Sequence, residues 1–533
     1  MACVACWLQG SLERVFPSSP ERETVPLSLT LVRGGRLSLQ VGVRNSGREA
    51  VRVAVEATAP DGCSACVRRV GWVPMAHHNP GTDREHLDGV GHVPGLVPDP
   101  LHPEGLVVLG PLETQAFWIT LTAPVGTVAG DGALRVRVAP QGEPVRELVA
   151  SVRVADVTLR ADPPLPVTHW FYADALCDWY GADPFDARFW AIVRPYMRDL
   201  VEHGSTCQYV PLLTPPTDGV KRPTQLLRVD DSRPGVWGFD FADVRRWVRM
   251  ARECGATYFE WTHFFTQWGA RAALRVYRDN ADADSLLWPP ETPATSDTYR
   301  SFLGQLLPRL RAFVEEEGIL DRSIFHVSDE PGPDDLERYS AARALLREAA
   351  PWMRVADAQS HVELAREGAT DLPIASIASA RAYREAGIPA WAYFCCGPRG
   401  PYINRLMDTP LPAIRLTGWL LRRFGAGGFL HWGYNYWYRS QTRQLIDPFA
   451  EQSGVAWPDW PYGDPFVVYP GVDGPLDSIR WEVFADSLQD YALLQTLGVG
   501  EDAPLLAPLE GYDRFPRDAG WVERARRTLL CAL

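Results

Sequence analysis

The stretch SIFHVSDEPGPDDLERYSAARALLREAA, Ser323–Ala350, contains one complete β-then-α unit. Its first five residues, Ser323–Val327, form a short apolar run typical of a buried strand. Pro333–Ala350 has the apolar spacing of an amphipathic helix. Asp329–Pro331 lies between them and marks the end of the strand. Repetition of this pattern along the chain decides the predicted fold.

Eight such units follow one another after the connector ADPPLP at Ala161–Pro166. Eight β-then-α units in sequence indicate a (β/α)8 TIM-type barrel. No G-x-G-x-x-G motif follows a strand, which disfavours a doubly wound sheet. The predicted strands are Trp170–Ala173, Thr206–Leu212, Thr257–Trp261, Ser323–Val327, Met353–Ala356, Pro373–Ser376, Ala390–Phe394 and Gly428–Trp432. The predicted helices are Phe189–His203, Phe241–Cys254, Ser296–Glu317, Pro333–Ala350, Val362–Glu367, Ala378–Ala386, Ile403–Phe424 and Ile479–Leu497.

The region before the connector has a different pattern, in which apolar and polar residues alternate. Several short strands of this kind, separated by Gly, Pro and Asn, predict a β-sandwich. We therefore expect an N-terminal β-sandwich at residues 1–160, followed by the barrel with the catalytic centre and a C-terminal helical segment at 161–533. The predicted sandwich strands are Leu27–Val32, Arg36–Val43, Val51–Ala57, Gln115–Leu121 and Ala133–Val138.

Composition narrows the class of protein. The chain has 533 residues, 46% of them hydrophobic and 22% charged, which excludes a disordered, collagen-like or coiled-coil protein. The net charge of −13, with no local basic patch, disfavours a nucleic-acid partner. No run of about 18 apolar residues predicts a membrane span, and Met1–Phe16 is a poor secretory signal. These features predict a cytoplasmic protein, and assembly into a homo-oligomer stays compatible with them.

Two groups of residues resemble metal ligands. Cys3/Cys6 and Cys63/Cys66 form two CxxC pairs, but the gap between the pairs is far longer than in zinc ribbons. Small core residues in strands are the favoured interpretation, and a four-thiolate zinc site is the alternative. Five histidines between His77 and His102 lie among Pro and Gly, where an ordered loop is favoured over a metal site. We therefore expect no metal.

If the barrel is correct, the active site lies at the carboxyl ends of its strands. Two long interruptions, Thr214–Gly238 and Arg439–Ser478, leave that face, and long loops in compact domains are commonly functional. Polar and aromatic side chains collect at the predicted strand ends: Asp174, Glu260, His263, Gln267, Trp268, Asp329, Glu330, Asp357, Tyr393, His431, Trp432, Tyr434 and Asn435.

Asp329 and Glu330 form the sharpest motif. Adjacent strand residues point to opposite faces, but just beyond the strand, Pro331 biases Glu330 away from helical backbone. Two acids held close together acquire separated pKa values, which gives the proton donor and persistent anion that glycoside chemistry needs. The alternative is that both acids merely open the following helix, whose N-terminus favours negative charge.

The segment SIFHVSDEP resembles the corresponding strand of the glycoside hydrolase family 123 clan and its associated domain of unknown function 4091. Further segments match in family order: HFFTQWGA (263–270), WAYFCCG (391–397), GFLHWGYNYW (428–437), PFVVYPG (465–471) and LDSIRWEVFADSLQDY (476–491). The upstream VGWVPMAHHN resembles the N-terminal sandwich of these proteins. The resemblance covers the region from about Phe171 to Leu497.

The resemblance implies a retaining β-N-acetylhexosaminidase that acts on terminal β-linked N-acetylgalactosamine and needs no cofactor. Catalysis would be substrate-assisted. Glu330 would be the general acid and then the base, and Asp329 would orient the 2-acetamido group, whose carbonyl oxygen attacks. The expected partner is an oligosaccharide or glycoconjugate.

Chemistry suggests roles for the remaining residues. The acetamido methyl needs an apolar box, for which Tyr393, Trp432 and Trp268 are candidates, and Tyr393 is the preferred donor to the oxazoline oxygen. Fixed polar partners bind sugar hydroxyls. The candidates for that role are Asn435, His263 and Asp464, and Tyr434 is a further expected substrate contact.

Two other functions fit the same sequence. One is a glycosidase of different sugar specificity that uses a protein nucleophile, with Glu260 or Asp174 as candidates. The other is a non-catalytic carbohydrate-binding protein on a barrel scaffold. The 20 tryptophans permit both heavy core packing and a rim of flat faces that stack on sugars. Many of them lie near predicted strand ends or in the long loops, which favours the rim: Trp170, Trp179, Trp237, Trp261, Trp268, Trp288, Trp432, Trp437, Trp457 and Trp460.

Overall fold

The computed structural model describes residues 4–160, 163–214 and 222–531. Eight parallel strands form a nearly closed barrel in which each strand pairs with its neighbours in the sequence. A single bridge between Phe325 and Val355 joins the fourth strand to the fifth. Numbered in chain order after ten N-terminal strands, the strands of this region are β11 Val167–His169, β12 Cys207–Val210, β13 Arg228–Arg233, β14 Val236–Asp240, β15 Tyr258–His263, β16 Ser323–His326, β17 Ala356–Ala358, β18 Leu372–Ser376, β19 Trp391–Tyr393, β20 Phe429–His431, β21 Tyr469–Pro470 and β22 Pro475–Leu476.

The predicted barrel is present, but two strands are displaced from their expected positions. The first was expected at Trp170–Ala173, whereas β11 ends at His169 and Ala173 begins a helix. The fifth was expected at Met353–Ala356, whereas β17 begins at Ala356. Each of these strands has three residues, and apolar residues continue past its ends, so hydrophobicity alone cannot locate the bounds.

Helices surround the barrel, and their starts follow capping chemistry. The side-chain oxygens of Asp186, Ser296 and Ser478 each accept a hydrogen bond from the backbone N–H three residues later. Such caps satisfy N–H groups that the first turn leaves unpaired. The helices are α1 Ala173–Tyr180, α2 Ala187–Glu202, α3 Ala242–Glu253, α4 Asp297–Glu316, α5 Leu336–Ala349, α6 Val362–Arg366, α7 Ala380–Glu385, α8 Leu411–Arg415, α9 Thr417–Arg423, α10 Ile479–Thr496 and α11 Ala519–Cys531.

One long helix, expected over Ile403–Phe424, is instead the short pair α8 and α9. Pro410 precedes α8, and proline fits the start of a helix better than its interior. Gly418 lies in α9 against α10, and a Cβ atom there would approach the Ser487 carbonyl oxygen to 1.9 Å. Only glycine permits this close helix contact.

The N-terminal region consists of two five-stranded sheets with one apolar core between them. Their strand orders are β1-β3-β8-β5-β6 and β2-β10-β9-β4-β7, and the pairing is antiparallel except between β2 and β10. Alternation explains the buried faces: Val136 and Val138 on β9 are buried, while Arg137 between them is exposed. The strands are β1 Val4–Gly10, β2 Ser28–Arg33, β3 Gly35–Asn45, β4 Val51–Thr58, β5 Ser64–Met75, β6 Gly95–His102, β7 Leu106–Leu109, β8 Thr114–Ala123, β9 Gly130–Pro140 and β10 Arg146–Thr158.

Some expectations fall partly outside the described residues. Residues 161–162 of the connector, residues 215–221 of the first long interruption and Cys3 lie outside the described residues. The domain boundary at 160/161 stays a prediction. The described part of the first interruption includes the hairpin β13–β14, and that of the second includes β21–β22. Across the described ranges, no helix is long and apolar enough to cross a membrane.

The two groups that resemble metal ligands have other surroundings. Cys6, Cys63 and Cys66 carry free thiols, and within the described residues none of them belongs to a cluster of three candidate ligand atoms. In the histidine segment, the ring of His92 stacks on Phe16 and the ring of His77 stacks on Trp457. The histidines of this segment therefore contact separate partners in the fold.

Glu482 of α10 joins the N-terminal sheets to the barrel. Its carboxylate lies against Arg36 and accepts hydrogen bonds from Trp118 Nε1 at 3.2 Å and Thr120 Oγ1 at 3.1 Å. It also pairs with Arg68 Nη2 at 2.8 Å and, on the barrel side, with His203 Nε2 at 3.2 Å. Burial would raise the pKa of Glu482, but Arg36 and Arg68 outweigh it and hold the pKa well below its ordinary value.

We expect Glu482→Gln to destabilise the protein by about 3–5 kcal/mol, because breaking a buried ion pair leaves its partners, Arg36 and Arg68, without a full countercharge. Denaturant unfolding measures this change. The matched control is Glu147→Gln in the exposed Arg135–Glu147 pair, where the expected loss is below about 1 kcal/mol. Equal losses in the two variants would contradict the role assigned to Glu482.

Candidate active site

The carboxyl ends of the barrel strands carry the predicted acid pair. β16 ends at His326, and Asp329 and Glu330 follow three and four residues later. Asp329 is half-buried, whereas Glu330 is exposed. One acid therefore lies within the barrel mouth, and its neighbour lies at the solvent edge.

The backbone at Glu330 is left-handed, with φ of 41°. The following proline predicts that this residue avoids helical backbone, and the left-handed conformation does so in place of the expected extended one. A non-glycine residue in this region costs about 1–3 kcal/mol and persists only where neighbouring contacts hold it. The turn breaks the strand alternation, so that the Asp329 and Glu330 carboxylates interact electrostatically.

The loop after β15 holds the acid pair from one side. Ser328 Oγ accepts hydrogen bonds from the backbone N–H groups of Gly269 and Ala270, at 3.2 and 3.1 Å. The Trp268 N–H donates to the Asp329 carbonyl oxygen at 3.0 Å. The Trp268 side chain is 52% exposed beside these contacts. A flat apolar face thus lies in solvent next to the predicted catalytic acids.

Gly269 makes this contact between loops possible. Its φ is 90°, and a Cβ atom there would lie 2.3 Å from the Asp335 carboxyl carbon at the start of α5. The loop and the strand end can approach each other this closely only with glycine at this position.

Tyr393, at the end of β19, contacts Glu330 directly. Its hydroxyl donates to Glu330 Oε1 at 2.5 Å and also lies 3.0 Å from Ser360 Oγ. Burial, followed by the negative charge of Glu330, raises the pKa of Tyr393, so the phenol stays protonated. Tyr393, which the sequence predicts to donate to the oxazoline oxygen, therefore lies beside the acid pair. In this structure its hydroxyl donates to Glu330 instead.

Asp329 holds its proton more tightly than an ordinary aspartate. Burial raises its pKa well above the usual value, and the charge of Glu330 raises it further, while His326 and a hydrogen bond from Gln267 Nε2 at 3.2 Å act against them. A positive charge or an N–H donor on a ligand would stabilise the ionised form of Asp329.

Glu260 lies deeper in the barrel, and three donors occupy its carboxylate. Trp170 Nε1 and His326 Nε2 each lie 2.9 Å from Oε1, and the Thr168 hydroxyl donates to Oε2. The Glu260 side chain is fully buried. This environment fits a structural anion more closely than the nucleophile that the sequence left open.

His326 lies between two carboxylates. Its Nδ1 is 3.3 Å from Asp357 Oδ1, opposite the Nε2 contact with Glu260. Burial would lower the pKa of His326, but hydrogen bonds to Asp357 and Glu260 raise it to about 9. The ring is therefore an imidazolium at neutral pH.

Asp357 also supplies hydrogen bonds where β16 and β17 are joined by only a single bridge. Its Oδ1 accepts from the Val327 N–H at 3.0 Å, and its Oδ2 accepts from the Tyr339 hydroxyl at 2.6 Å. A side-chain carboxylate thus bonds a backbone N–H where the ladder has a single bridge.

His263 stacks on His326 with ring centroids 4.4 Å apart. A register shift in β15 accompanies this placement. Burial and the nearby imidazolium lower the pKa of His263 well below its ordinary value, so the ring is neutral. Both ring nitrogens are buried, and neither has a hydrogen-bond partner among the described residues.

His263, His326 and Asp357 also form one of two three-ligand clusters in the described part of the chain; the other is Asp199, His203 and Asp477. In the first cluster, both nitrogens of His326 face carboxylates and the ring binds a proton. A histidine binds a metal through the lone pair of a neutral ring nitrogen, and the protonated ring of His326 has no such lone pair.

Asp464 and Trp432 form a second polar point at the mouth. Trp432 Nε1 donates to Asp464 Oδ2 at 2.9 Å, and His431 Nε2 lies 3.6 Å from Oδ1. Burial raises the pKa of Asp464 well above its usual value, with a further contribution from Cys396. Asp464 Oδ1 is buried and has no hydrogen-bond partner within the described chain.

Tyr434 and Asn435 have contacts inside the fold instead of at the acid pair. The Tyr434 hydroxyl donates to Asp199 Oδ2 at 2.6 Å. Asn435 Oδ1 accepts from the Tyr172 N–H at 2.9 Å, and its Nδ2 donates to the Tyr172 carbonyl oxygen at 3.0 Å. Both residues are fully buried and hold the loop after β20 against the end of β11.

The structure adds residues near the acids that sequence reasoning missed. The hydroxyl of Tyr209 is buried without a hydrogen-bond partner in the described ranges, and the charges of Glu260 and Asp329 act on it. Strand alternation could have found Tyr209, since it pairs with Glu260 across β12 and β15. Ser360, which contacts Tyr393, had no comparable signal because it follows a three-residue strand.

The tryptophan surplus divides between core and rim. Four of the tryptophans expected at the rim are buried in the core, which corrects the expectation for them: Trp170, Trp261, Trp288 and Trp437. Trp268 is exposed, and Trp432 and Trp460 are half-buried with ring centroids 5.1 Å apart.

A loop from the N-terminal sheets reaches the barrel mouth, where Arg399 holds it. Arg399 Nε donates to the Cys396 carbonyl oxygen at 2.6 Å, and Nη1 donates to the Pro80 carbonyl oxygen at 3.3 Å. Its Nη2 donates to the carbonyl oxygens of Pro458 and Asp459, at 3.0 and 2.9 Å. One guanidinium thus joins three segments beside the site.

The arrangement as a whole is that of a barrel enzyme, with an acid pair at the strand ends and polar and aromatic groups around it. Residues 170–497 match the model of the glycoside hydrolase 123 catalytic domain. The chain belongs to this family and is a glycoside hydrolase, whose substrates are glycans.

Comparison with solved structures agrees on the fold. A family 123 glycoside hydrolase from Clostridium perfringens, whose structure was analysed for glycolipid glycan hydrolysis, is 13% identical with a TM-score of 0.75; the match covers 99% of this chain and all of that one. A family 5 xyloglucanase from Bacteroides ovatus is 9% identical with a TM-score of 0.31, over 86% of this chain and 98% of that one, too low a score to support an argument. No curated protein matches the chain.

The raised pKa of His326 makes a prediction about stability. A histidine whose pKa is higher in the folded state stabilises the protein fully below pH 6.5, and the contribution is lost as the pH rises through about 9. We expect this loss to be about 3 kcal/mol in the wild type and absent in His326→Gln. Denaturant unfolding across pH 6–10 measures it.

His102→Gln is the control, because burial lowers the pKa of His102 and its titration therefore cannot produce a loss of stability as the pH rises. This variant should keep the wild-type pH dependence of unfolding. A wild-type slope in His326→Gln would show that the imidazolium does not stabilise the barrel.

Proposed function

We propose that the protein is a retaining β-N-acetylhexosaminidase that removes terminal β-linked N-acetylhexosamine, with N-acetylgalactosamine favoured, by substrate-assisted catalysis. Glu330 is the general acid and base, and Asp329 orients the 2-acetamido group. The observation that carries the proposal is the half-buried Asp329 beside the exposed, tyrosine-bound Glu330.

The roles follow from the two environments. Glu330 at the solvent edge can protonate the glycosidic oxygen, and the bond from C1 to that oxygen breaks as the acetamido carbonyl oxygen attacks C1. Asp329 accepts the acetamido N–H and stabilises the positive charge of the oxazolinium. Glu330 then removes a proton from the water that attacks C1, so the product retains the β configuration.

The candidates for a protein nucleophile have less suitable surroundings. Glu260 is saturated by three donors inside the barrel. Asp174 is buried in the first turn of α1, where its charge acts on Tyr172, Tyr209 and other phenols. The acetamido oxygen of the substrate is therefore the nucleophile that this site favours.

The remaining mouth residues supply binding groups. We assign the exposed ring of Trp268, the ring of Trp432 and Tyr393 to the apolar surroundings of the sugar and its acetamido methyl. We assign Asp464 and His263 to the sugar hydroxyls, because Asp464 Oδ1 and both His263 ring nitrogens are buried without a hydrogen-bond partner among the described residues. Tyr393 holds the Glu330 carboxylate, and a ligand that displaces this contact would receive the same O–H donor.

A panel of aryl β-glycosides tests the proposal. We expect turnover of N-acetylgalactosaminide and, more slowly, N-acetylglucosaminide, and none of the 2-hydroxy analogues, because only the acetamido sugars carry the nucleophile. Release of the phenol measures the rate. Turnover of the 2-hydroxy galactoside alone would require a protein nucleophile, and binding without turnover of any glycoside would indicate a carbohydrate-binding protein.

Paired variants separate the two acids. We expect Glu330→Gln to lower kcat for poor leaving groups by about 10²–10⁴-fold, the usual contribution of general acid catalysis, with little loss for activated aryl groups. Asp329→Asn should lower kcat for both kinds of substrate by about 10²–10³-fold, because it removes stabilisation of the developing charge.

The raised pKa of Asp329 gives the two variants different pH and stability signatures. As the pH falls, protonation of Asp329 should reduce kcat/KM at a higher pH than an ordinary aspartate would, and Asp329→Asn should lose this limb. Ionising a carboxyl whose pKa folding raises costs stability at neutral pH, so Asp329→Asn should raise Tm. Glu330→Gln removes only the smaller of the two causes, the charge of Glu330, and should raise Tm less. An unchanged acid limb in Asp329→Asn would contradict the assignment.

A further inference from the structure

Two adjacent thiols lie at the end of β19, beside the proposed general acid. Cys395 and Cys396 follow Tyr393 by two and three residues, and their Sγ atoms are 3.7 Å apart. Both residues are half-buried and carry free thiols. The charge of Glu330 acts on both sulfurs. The proposed hydrolytic mechanism uses neither of them.

Hydrogen bonds to the backbone of Cys395 and Cys396 hold this pair in place. The Cys395 N–H donates to the Gly397 carbonyl oxygen at 2.9 Å, and Asn404 Nδ2 donates to the Cys395 carbonyl oxygen at 2.9 Å. Arg399 Nε donates to the Cys396 carbonyl oxygen at 2.6 Å. The two sulfurs are therefore positioned before any ligand arrives.

One thiol is activated by the other. A hydrogen bond from Cys395 lowers the pKa of Cys396 to about 7, with a further contribution from Arg399, while burial and Glu330 act in the opposite direction. The thiolate is the nucleophilic form of cysteine, and Cys396 is therefore partly in this form at neutral pH.

Geometry decides among three reactions of two adjacent thiols: disulfide formation, zinc binding and bridging by a single atom. Consecutive Cα atoms are about 3.8 Å apart, below the range of about 4.4–6.8 Å usual in disulfides, so a bond between these sulfurs is strained. Structural zinc takes four ligands, and within the described residues the two thiols belong to no cluster of three candidate ligand atoms. A single atom that bridges two sulfurs needs neither a third ligand nor a direct S–S bond.

We propose that Cys395 and Cys396 form a dithiol site for trivalent arsenicals at the edge of the active site. An organoarsenic(III) dihydroxide reacts with the two thiols to form two As–S bonds. Two As–O bonds break, and each hydroxyl leaves as water with a thiol proton. The oxidation states of arsenic and sulfur do not change, so no oxidant or reductant is consumed.

Occupation of the site places an arsenic centre within the electrostatic influence of Glu330, two and three residues after the Tyr393 that binds it. The substituent on arsenic then competes with a glycan for the same mouth, and we expect inhibition. The inhibition rests on the proposed glycosidase function, whereas formation of the adduct does not, so the two can fail separately.

Phenylarsine oxide, added to the full-length protein, tests the site. Intact mass spectrometry should show one phenylarsenic adduct that survives excess 2-mercaptoethanol and is removed by 2,3-dimercaptopropanol, since a dithiol chelates arsenic more tightly than a monothiol. Cys395→Ser and Cys396→Ser should each lose this stable adduct. Glycosidase turnover should fall in proportion to the wild-type adduct and recover after the dithiol is added.

The double variant Cys63→Ser/Cys66→Ser is the matched control, because it removes the other two cysteines that lie close together in the sequence of the described chain. It should keep both the adduct and the inhibition. A stable adduct that persists in Cys396→Ser, or that disappears in the control, would overturn the site; an adduct that leaves turnover unchanged would overturn the inhibition. Cys396→Ala and thermal unfolding distinguish loss of the thiol from loss of the fold.

Discussion

A buried imidazolium held between two carboxylates organises the barrel interior. His326 lies between Glu260 and Asp357, with all three side chains almost completely buried. Moving each ion out of water costs several kcal/mol, and only close pairing with further hydrogen bonds compensates for it. Thr168 on β11 and Trp170 just after it donate the remaining hydrogen bonds to Glu260. This chain of buried charges and hydrogen bonds therefore connects β11, β15, β16 and β17. Removing any member leaves an uncompensated charge in the centre of the barrel.

This chain of buried charges also explains the position of the two acids, Asp329 and Glu330. His326 ends β16, and Asp329 lies only three residues beyond it, so fixing the histidine fixes the start of the acid turn. The imidazolium lowers the pKa of Asp329, although burial and Glu330 raise it overall. A buried positive charge thus tempers the repulsion between neighbouring acids, while Tyr393 holds the Glu330 carboxylate from the opposite side. The acid pair depends on pre-formed partners on several strands, which is the condition for electrostatic stabilisation without reorganisation.

Sequence reasoning could predict the barrel because the alternation of apolar strands with amphipathic helices is a property of each segment alone. It located Asp329, Glu330 and Tyr393 because they end such segments. Tyr434 and Asn435 follow a strand end equally closely, yet their side chains bond Asp199 and Tyr172, partners that lie about 240 and 260 positions earlier in the chain. The protonation of His326 depends likewise on Glu260 and Asp357 across the barrel. Such partnerships arise from tertiary packing, and no local pattern encodes them.

The N-terminal sheets are part of the same architecture, since polar contacts attach them to the barrel, and two groups of these contacts lie far apart in the sequence. At one, the Glu482 carboxylate collects Arg36, Arg68, Trp118 and Thr120 under α10. At the other, Arg399 binds the loop that contains Pro80 beside Cys396. Attachment at separate places restrains the sheets more than attachment at a single point would. The loop from the sheets therefore has a set distance from the acid pair, and the mouth of this glycoside hydrolase is built by both parts of the chain.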